Sequence, residues 1–234
     1  MIPLRDDQPT FSTPFINYFL IAVNLLVYLW EFLIGAQSPR VLNAFVMQFG
    51  LVPRHVLAVL GAHSHASPVT AIVPFFTSMF LHASLMHVAG NMLFLWIFGD
   101  NVEDFLGHFK YVVFYFASGI AAASAQILLN PDSRLPTVGA SGAIAGVMGA
   151  YFILYPHARV LVWFPPIFFF HVPAWLMLGY WFLYQFFSGT VTVIAETEQQ
   201  GGVAFWAHIG GFAAGVIMIK LFSERPHRYR YGTW

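Results

Sequence analysis

The chain has no cysteine. That excludes disulfides, thiolate metal sites and a cysteine nucleophile, and it leaves the redox compartment open. Charge is scarce as well: only 9% of residues are Asp, Glu, Lys or Arg, against about 25% in a soluble domain. The 10 basic residues balance the 10 acidic ones, so nothing points to nucleic acid or another polyanion. Repeats, low-complexity tracts and a soluble domain are all missing. What fills the chain is apolar: 59% of its 234 residues are hydrophobic, with 26 Phe and 7 Trp. This is the composition of an all-α polytopic membrane protein. Met1–Thr10 holds one Arg and two Asp, a poor signal-peptide start, and the apolar run that follows is too long for a signal core. It reads as a retained first span.

Six spans are expected, at about 15–33, 86–105, 109–129, 141–155, 171–187 and 204–222, in one membrane domain covering 1–234. A long outer loop, 35–85, separates the first two. Within it Val41, Leu42, Phe45, Val46 and Phe49 recur at helical spacing, which suggests a short helix lying at the interface. Asn130-Pro131-Asp132 ends the third span. The fourth is short and glycine-rich. Pro165-Pro166 breaks the chain before the fifth, where Pro173 suits a first helical turn.

An even number of spans puts both termini on one side. Arg5, Lys110, Arg159, Lys220, Arg225, Arg228 and Arg230 then share that side, and Arg40, Arg54 and Arg134 lie opposite. The bias makes the termini cytoplasmic. The loop Thr190–Gly202, with Glu196 and Glu198 but no Lys or Arg, agrees with an outer position.

Spans two, four and six therefore all start at the outer face, and polar residues near their N-terminal ends share a depth. These are His87 and Asn91, Ser141, and His208. Polar side chains in hydrocarbon need partners and tend to line functional interiors. Gly211 and Gly215 follow His208 on one helical face, and Ala145 and Gly149 follow Ser141 on another. Small residues at this spacing let backbones approach closely. Packing one stripe on the other would bring Ser141 within hydrogen-bond reach of His208.

Such a pair has a chemistry. A serine hydroxyl becomes a useful nucleophile when an imidazole takes its proton, and the same imidazole can return that proton to a leaving amine. The acids lie in loops or near the inner face, so a Ser–His dyad is expected rather than a triad. The oxyanion formed on attack needs donors. The Ser141 backbone at a helix start can supply them, together with His87 and Asn91, which project from one face of span two. The shallow depth admits water. A substrate would be a transmembrane helix that enters from lipid and unwinds locally.

At these residues the chain resembles the rhomboid family of intramembrane serine proteases. The matching pieces are His87-Val88-Ala89-Gly90-Asn91, Gly139-Ala140-Ser141-Gly142, and Ala207-His208-Ile209-Gly210-Gly211 with Gly215. Their order and spacing agree over essentially the whole chain. The resemblance implies a six-transmembrane-helix rhomboid-like bundle, with Ser141 as nucleophile, His208 as base, and His87 and Asn91 at the oxyanion. Gly139, Gly142, Gly211 and Gly215 would support helix packing. Cofactor-free cleavage of membrane-spanning proteins and an outward-opening site are implied too. Glu103 looks like the family's structural glutamate at the inner end of span two. Two departures stand out. Val73-Pro74 precedes Phe75-Phe76-Thr77 where many members carry Trp-Arg, and Ala145 replaces an aromatic that in some members stacks under the histidine. His208 must then be oriented by something else.

Other polar residues take blander readings. His82 ties the long loop to span two. His55, His63 and His65 are solvated loop histidines rather than a metal site. Tyr180, Trp181 and Tyr184 face lipid or supply bulk at a gate on span five. The basic tail Arg225–Arg230 anchors on membrane lipids. A catalytically inactive relative that binds or escorts membrane helices is the alternative; it would keep the glycine seams but lose Ser141 or His208, and both are present. The plain architecture suits a prokaryotic inner membrane.

Overall fold

The computed structural model describes residues 1–61, 65–194 and 204–222. Strand β1 (Ile2–Arg5) leads into α1 (Phe15–Gln37). Four short helices follow on the loop, α2 (Pro39–Phe49), α3 (Pro53–Leu60), α4 (Val69–Ile72) and α5 (Pro74–Thr77), and then a single 3-10 turn (Ser78–Phe80). The remaining elements are α6 (Leu85–Leu106), α7 (His108–Leu129), α8 (Ser141–Leu154), β2 (Arg159–Phe164), β3 (Phe168–Pro173), α9 (Ala174–Ile194) and α10 (Phe205–Phe222). His63, Glu196, Glu198, Arg225, Arg228 and Arg230 lie outside the described residues.

Helix α8 is central. A helix that is apolar on every face has to be wrapped by protein, and Gly142 through Tyr151 are all buried. With 14 residues it is about 21 Å long, shorter than a hydrocarbon core of about 30 Å, so its ends meet polar neighbours inside the protein. Among the described residues α1, α7 and α10 are long and apolar enough to cross a membrane. The bent pair Val69–Phe80 and Leu85–Leu106, turned by 80°, is a further candidate span.

Side-chain caps start two of the helices. Ser38 accepts from the Val41 N–H with Pro39 in the first turn of α2, and Ser84 accepts from the His87 N–H at 3.2 Å to start α6. Gly107, at φ +76°, makes the one-residue turn between α6 and α7. The outer loop is more folded than its one expected interfacial helix, which is α2. Leu51, Val56, Val59 and Ala71 close over Ala123 and Ile127 of α7 in a small core of their own.

The fold is mostly helical, as expected, and carries one small sheet beside the helices. Strands β1, β2 and β3 form an antiparallel sheet in that order. The segment Arg159–Phe164 alternates, with Val160 and Val162 buried, and it pairs with Phe168–Pro173 across the Pro165-Pro166 turn. The fifth helix consequently starts at Ala174 rather than His171, because β3 takes the residues before it, and it continues through Ile194 into the segment expected to be loop. Leu161 of β2 pairs with Arg5 of β1, so the Arg5 and Arg159 strands share one end of the protein. The Arg54 N–H donates to the Ser133 carbonyl at the other end.

Candidate active site

The glycine seams bring α7, α8 and α10 into backbone contact. A Cβ on Gly211 would overlap the Gly142 carbonyl, one on Gly215 the Gly146 carbonyl, and one on Gly149 the Phe212 carbonyl. On its other side α8 is equally tight: a Cβ on Gly142 would strike Ala122, and one on Gly146 would strike Ser118, both on α7. The α8 stripe therefore runs through Gly142, Gly146 and Gly149, one residue round from the expected Ser141–Ala145–Gly149 line. Ala145 is buried elsewhere in the core.

This packing sets the two polar residues face to face. Ser141 is the first residue of α8 and His208 lies in the first turn of α10. Their Oγ and Nε2 atoms are 2.7 Å apart. Nδ1 of His208 is 2.9 Å from Oε1 of Gln185 on α9. A carboxamide oxygen only accepts, so Nδ1 carries the proton, and Nε2 presents its lone pair to the Ser141 hydroxyl, which donates. Both residues are half-buried, while Gln185 is only 6% exposed.

His87 and Asn91 lie beside the loop that leads into the serine. Gly139 has φ +122°, a conformation that glycine adopts without strain. A Cβ there would also lie 2.7 Å from Nε2 of His87 and 3.4 Å from Nδ2 of Asn91. The glycine thus lets the Ser141 loop settle onto both side chains of α6. Its N–H donates to the Ser78 carbonyl at 2.8 Å, and Leu51 and Thr137 bridge the same two loops. The first intrahelical bond of α8 runs from Ile144 N–H to the Ala140 carbonyl, so the amides of Ser141, Gly142 and Ala143 have no intrahelical acceptor. A cavity of about 30 Å³ lies behind the serine, lined in part by Ser141, Gly142, Thr137 and Ala207; one water fits such a volume.

His82 does more than tie a loop. Its Nδ1–H donates to the Phe80 carbonyl at 3.2 Å, and its Nε2 accepts from Nδ2 of Asn91 at 2.9 Å. The His82 N–H in turn donates to Oε2 of Glu31 at 3.0 Å. Glu31 corrects the expectation that every acid lies in a loop or near the inner face: it sits in α1 and is 2% exposed. The Trp181 ring lies 5.6 Å from the His208 ring at 35°, while Tyr180 and Tyr184 are exposed. Glu103 accepts from the N–H groups of Ile16 at 3.1 Å and Asn17 at 2.7 Å, and pairs with Nδ1 of His108 at 2.5 Å. It thereby fixes the start of α1 to the α6–α7 turn, far from the serine. His55 and His65 join none of these contacts.

Gln185 and Glu31 were missed by sequence reasoning. Each was visible only as a polar or amphipathic residue inside an apolar run, which is a weak but real signal.

Known proteins resemble this chain over much of its length. Residues 70–225 match the Rhomboid domain family. Over 166 residues the chain is 32% identical to Rhomboid protein 1, mitochondrial, of Saccharomyces cerevisiae, covering 69% of this chain and 45% of the yeast protein. It is 33% identical over 191 residues to the presenilin-associated rhomboid-like protein, mitochondrial, of Rattus norvegicus, covering 78% of this chain and 47% of that one. Rhomboid protease GluP of Bacillus subtilis is 28% identical over 146 residues, covering 62% of this chain and 25% of its own length. The matches span less than half of each of these relatives. Proteins named as mitochondrial and a bacterial one share the domain, so its plain architecture does not mark a prokaryotic membrane. A family match across most of the chain, on a polytopic helical scaffold, makes this protein a member of the rhomboid family.

Proposed function

We propose that this protein is an intramembrane serine endopeptidase that cleaves membrane-spanning segments of other proteins. The observation that carries the reading is the 2.7 Å contact between Ser141 Oγ and His208 Nε2, made by residues from two helices in the tautomer that can accept a proton. A protein that only escorts helices has no use for that alignment.

In this reading His208 Nε2 takes the Ser141 proton as Oγ attacks the scissile carbonyl. The carbonyl oxygen becomes an oxyanion, which accepts hydrogen bonds from Asn91, His87 and the first-turn amides of α8. Collapse of the adduct breaks the C–N bond, and the imidazolium returns its proton to the leaving amine. Water then attacks the acyl-serine as His208 takes its proton; the acyl C–Oγ bond breaks, the imidazolium returns the proton to Ser141 Oγ, and the acid product leaves. Glu103 holds the far end of the bundle. Six spans in one domain place both termini on the cytoplasmic or equivalent side, with the dyad opening to the opposite face; the shared end of Arg5 and Arg159 supports this. Hydrolysis in lipid needs such an opening for water, and a substrate helix must unwind there, because helical carbonyls are already bonded.

The test is cleavage of a model transmembrane substrate by purified protein in liposomes, beside Ser141→Ala and His208→Ala. Both variants should be inactive, and a fluorophosphonate should label Ser141 of the parent. Cleavage by either variant at the parental rate overturns the proposal.

A further inference from the structure

We infer that Gln185 is the positioning residue of the dyad, an uncharged third member supplied by α9. The inference rests on the Ser141–His208 reading above and adds to it.

An imidazole used as a base must keep one tautomer and one ring orientation. Two devices that could do this are absent from the near side of His208: the residue one turn after the serine is Ala145, not an aromatic, and among the described residues the group on Nδ1 is an amide rather than a carboxylate. Helix α9 supplies both devices instead. Gln185 fixes the proton on Nδ1 at 2.9 Å. Trp181, one turn earlier on the same face, lies beside the ring at 5.6 Å. Trp181 also packs on Phe212, and Phe182 meets Phe212 at 4.9 Å, so the helix that carries Gln185 is seated on α10 next to the base. Being neutral, the amide orients the imidazole without placing a full negative charge against the imidazolium, which suits a site where an isolated charge is costly.

The blander account is that Gln185 is a buried polar side chain that has found the nearest donor, a tie between α9 and α10 with no part in turnover. The two accounts differ in kinetics. On our proposal the bond matters to proton transfer and not to substrate binding.

Full-length protein in liposomes is compared with Gln185→Met, which keeps length but loses the acceptor, Gln185→Asn, which keeps an amide too short to reach, and Gln185→Glu, which keeps an acceptor oxygen. Gln185→Met and Gln185→Asn should lose kcat by roughly tenfold or more with KM unchanged, and fluorophosphonate labelling of Ser141 should slow in step. Gln185→Glu should return kcat to within a few-fold of the parent. If Gln185→Met does not fold, Gln185→Asn carries the comparison. Parental kcat in Gln185→Asn or Gln185→Met, or equal loss in all three variants, overturns the inference. His208→Ala in the same series separates the two claims. An inactive His208→Ala beside a fully active Gln185→Asn removes only the role of Gln185, and an active His208→Ala removes the dyad itself.

Discussion

Asn91 is held by His82: the amide nitrogen of one donates to Nε2 of the other at 2.9 Å, and the imidazole is itself locked by the Phe80 carbonyl. An amide has two N–H groups. One is committed to this bond, and the second remains for a ligand at the Ser141 end of α6. Aim matters here, because an oxyanion donor is worth most when it needs no reorganisation.

Asn91→Ala should therefore cut kcat by about 10²–10³ with little change in thermal unfolding. His82→Leu should lower both, since it frees Asn91 and removes a buried partner of the loop. Paired cleavage assays and unfolding curves check this. Unchanged turnover in Asn91→Ala would remove that residue from the oxyanion assignment.

The seam gives a second prediction. Gly215→Val should destabilise the fold by about 1–3 kcal/mol, because overpacking here meets backbone rather than a movable side chain, and labelling of Ser141 should fall with it. Gly90→Ala is the control: a Cβ there has nothing within 4 Å, and removing a helical glycine should hold or raise the unfolding temperature.

A third concerns Glu103. Its carboxylate serves two α1 amides and His108 from a fully buried position. Glu103→Ala should destabilise by more than about 1.5–3 kcal/mol, the range for a hydrogen bond to a charged group, and Glu103→Gln by less. Chemical unfolding in detergent reads the order, and an equal effect of the two would contradict it.

The fourth is a pH dependence. Burial raises the Asp6 carboxyl from 3.8 to about 6, with Asp100 and Asp7 pushing the same way and the Tyr151 hydroxyl bond opposing. The folded state then binds the proton more tightly than the unfolded state does. Stability contributed by this group is full below about pH 4 and is lost as pH rises to about 6. Asp6→Asn should flatten that slope in unfolding curves taken across the window, and an unaltered slope would count against it.

The sequence made the meeting of Ser141 and His208 legible because two signals converged. Ser141 and His208 carry motifs, and their positions near the starts of alternate spans gave them a common depth. Gln185 had neither. It lies amid Phe182, Tyr184 and Phe186, and nothing in linear spacing relates α9 to α10. The same limit hid Glu31, whose partner is a backbone amide in a distant loop. The sheet was closer to view: Arg159–Phe164 alternates, with the three-residue turn Pro165-Pro166-Ile167 after it, yet in a chain so rich in apolar runs the prolines read only as a break. Helix ends were seen to within a few residues where a cap or a proline marked them, as at Ser84, Asn130 and Pro173, and missed where nothing marked them, as at the far end of α9, expected near Phe187 and reaching Ile194.

At Gly142–Gly211 and Gly146–Gly215 the space between α8 and α10 is the thickness of two main chains. At these two levels no side chain separates the main chains, so the pair acts as one strut. When bilayer thickness changes, the helices of a bundle accommodate by tilting. Here that adjustment falls to bulkier joints away from this pair, such as Tyr18 on Trp96, and the separation of Ser141 Oγ from His208 Nε2 stays a property of the polypeptide rather than of the lipid around it.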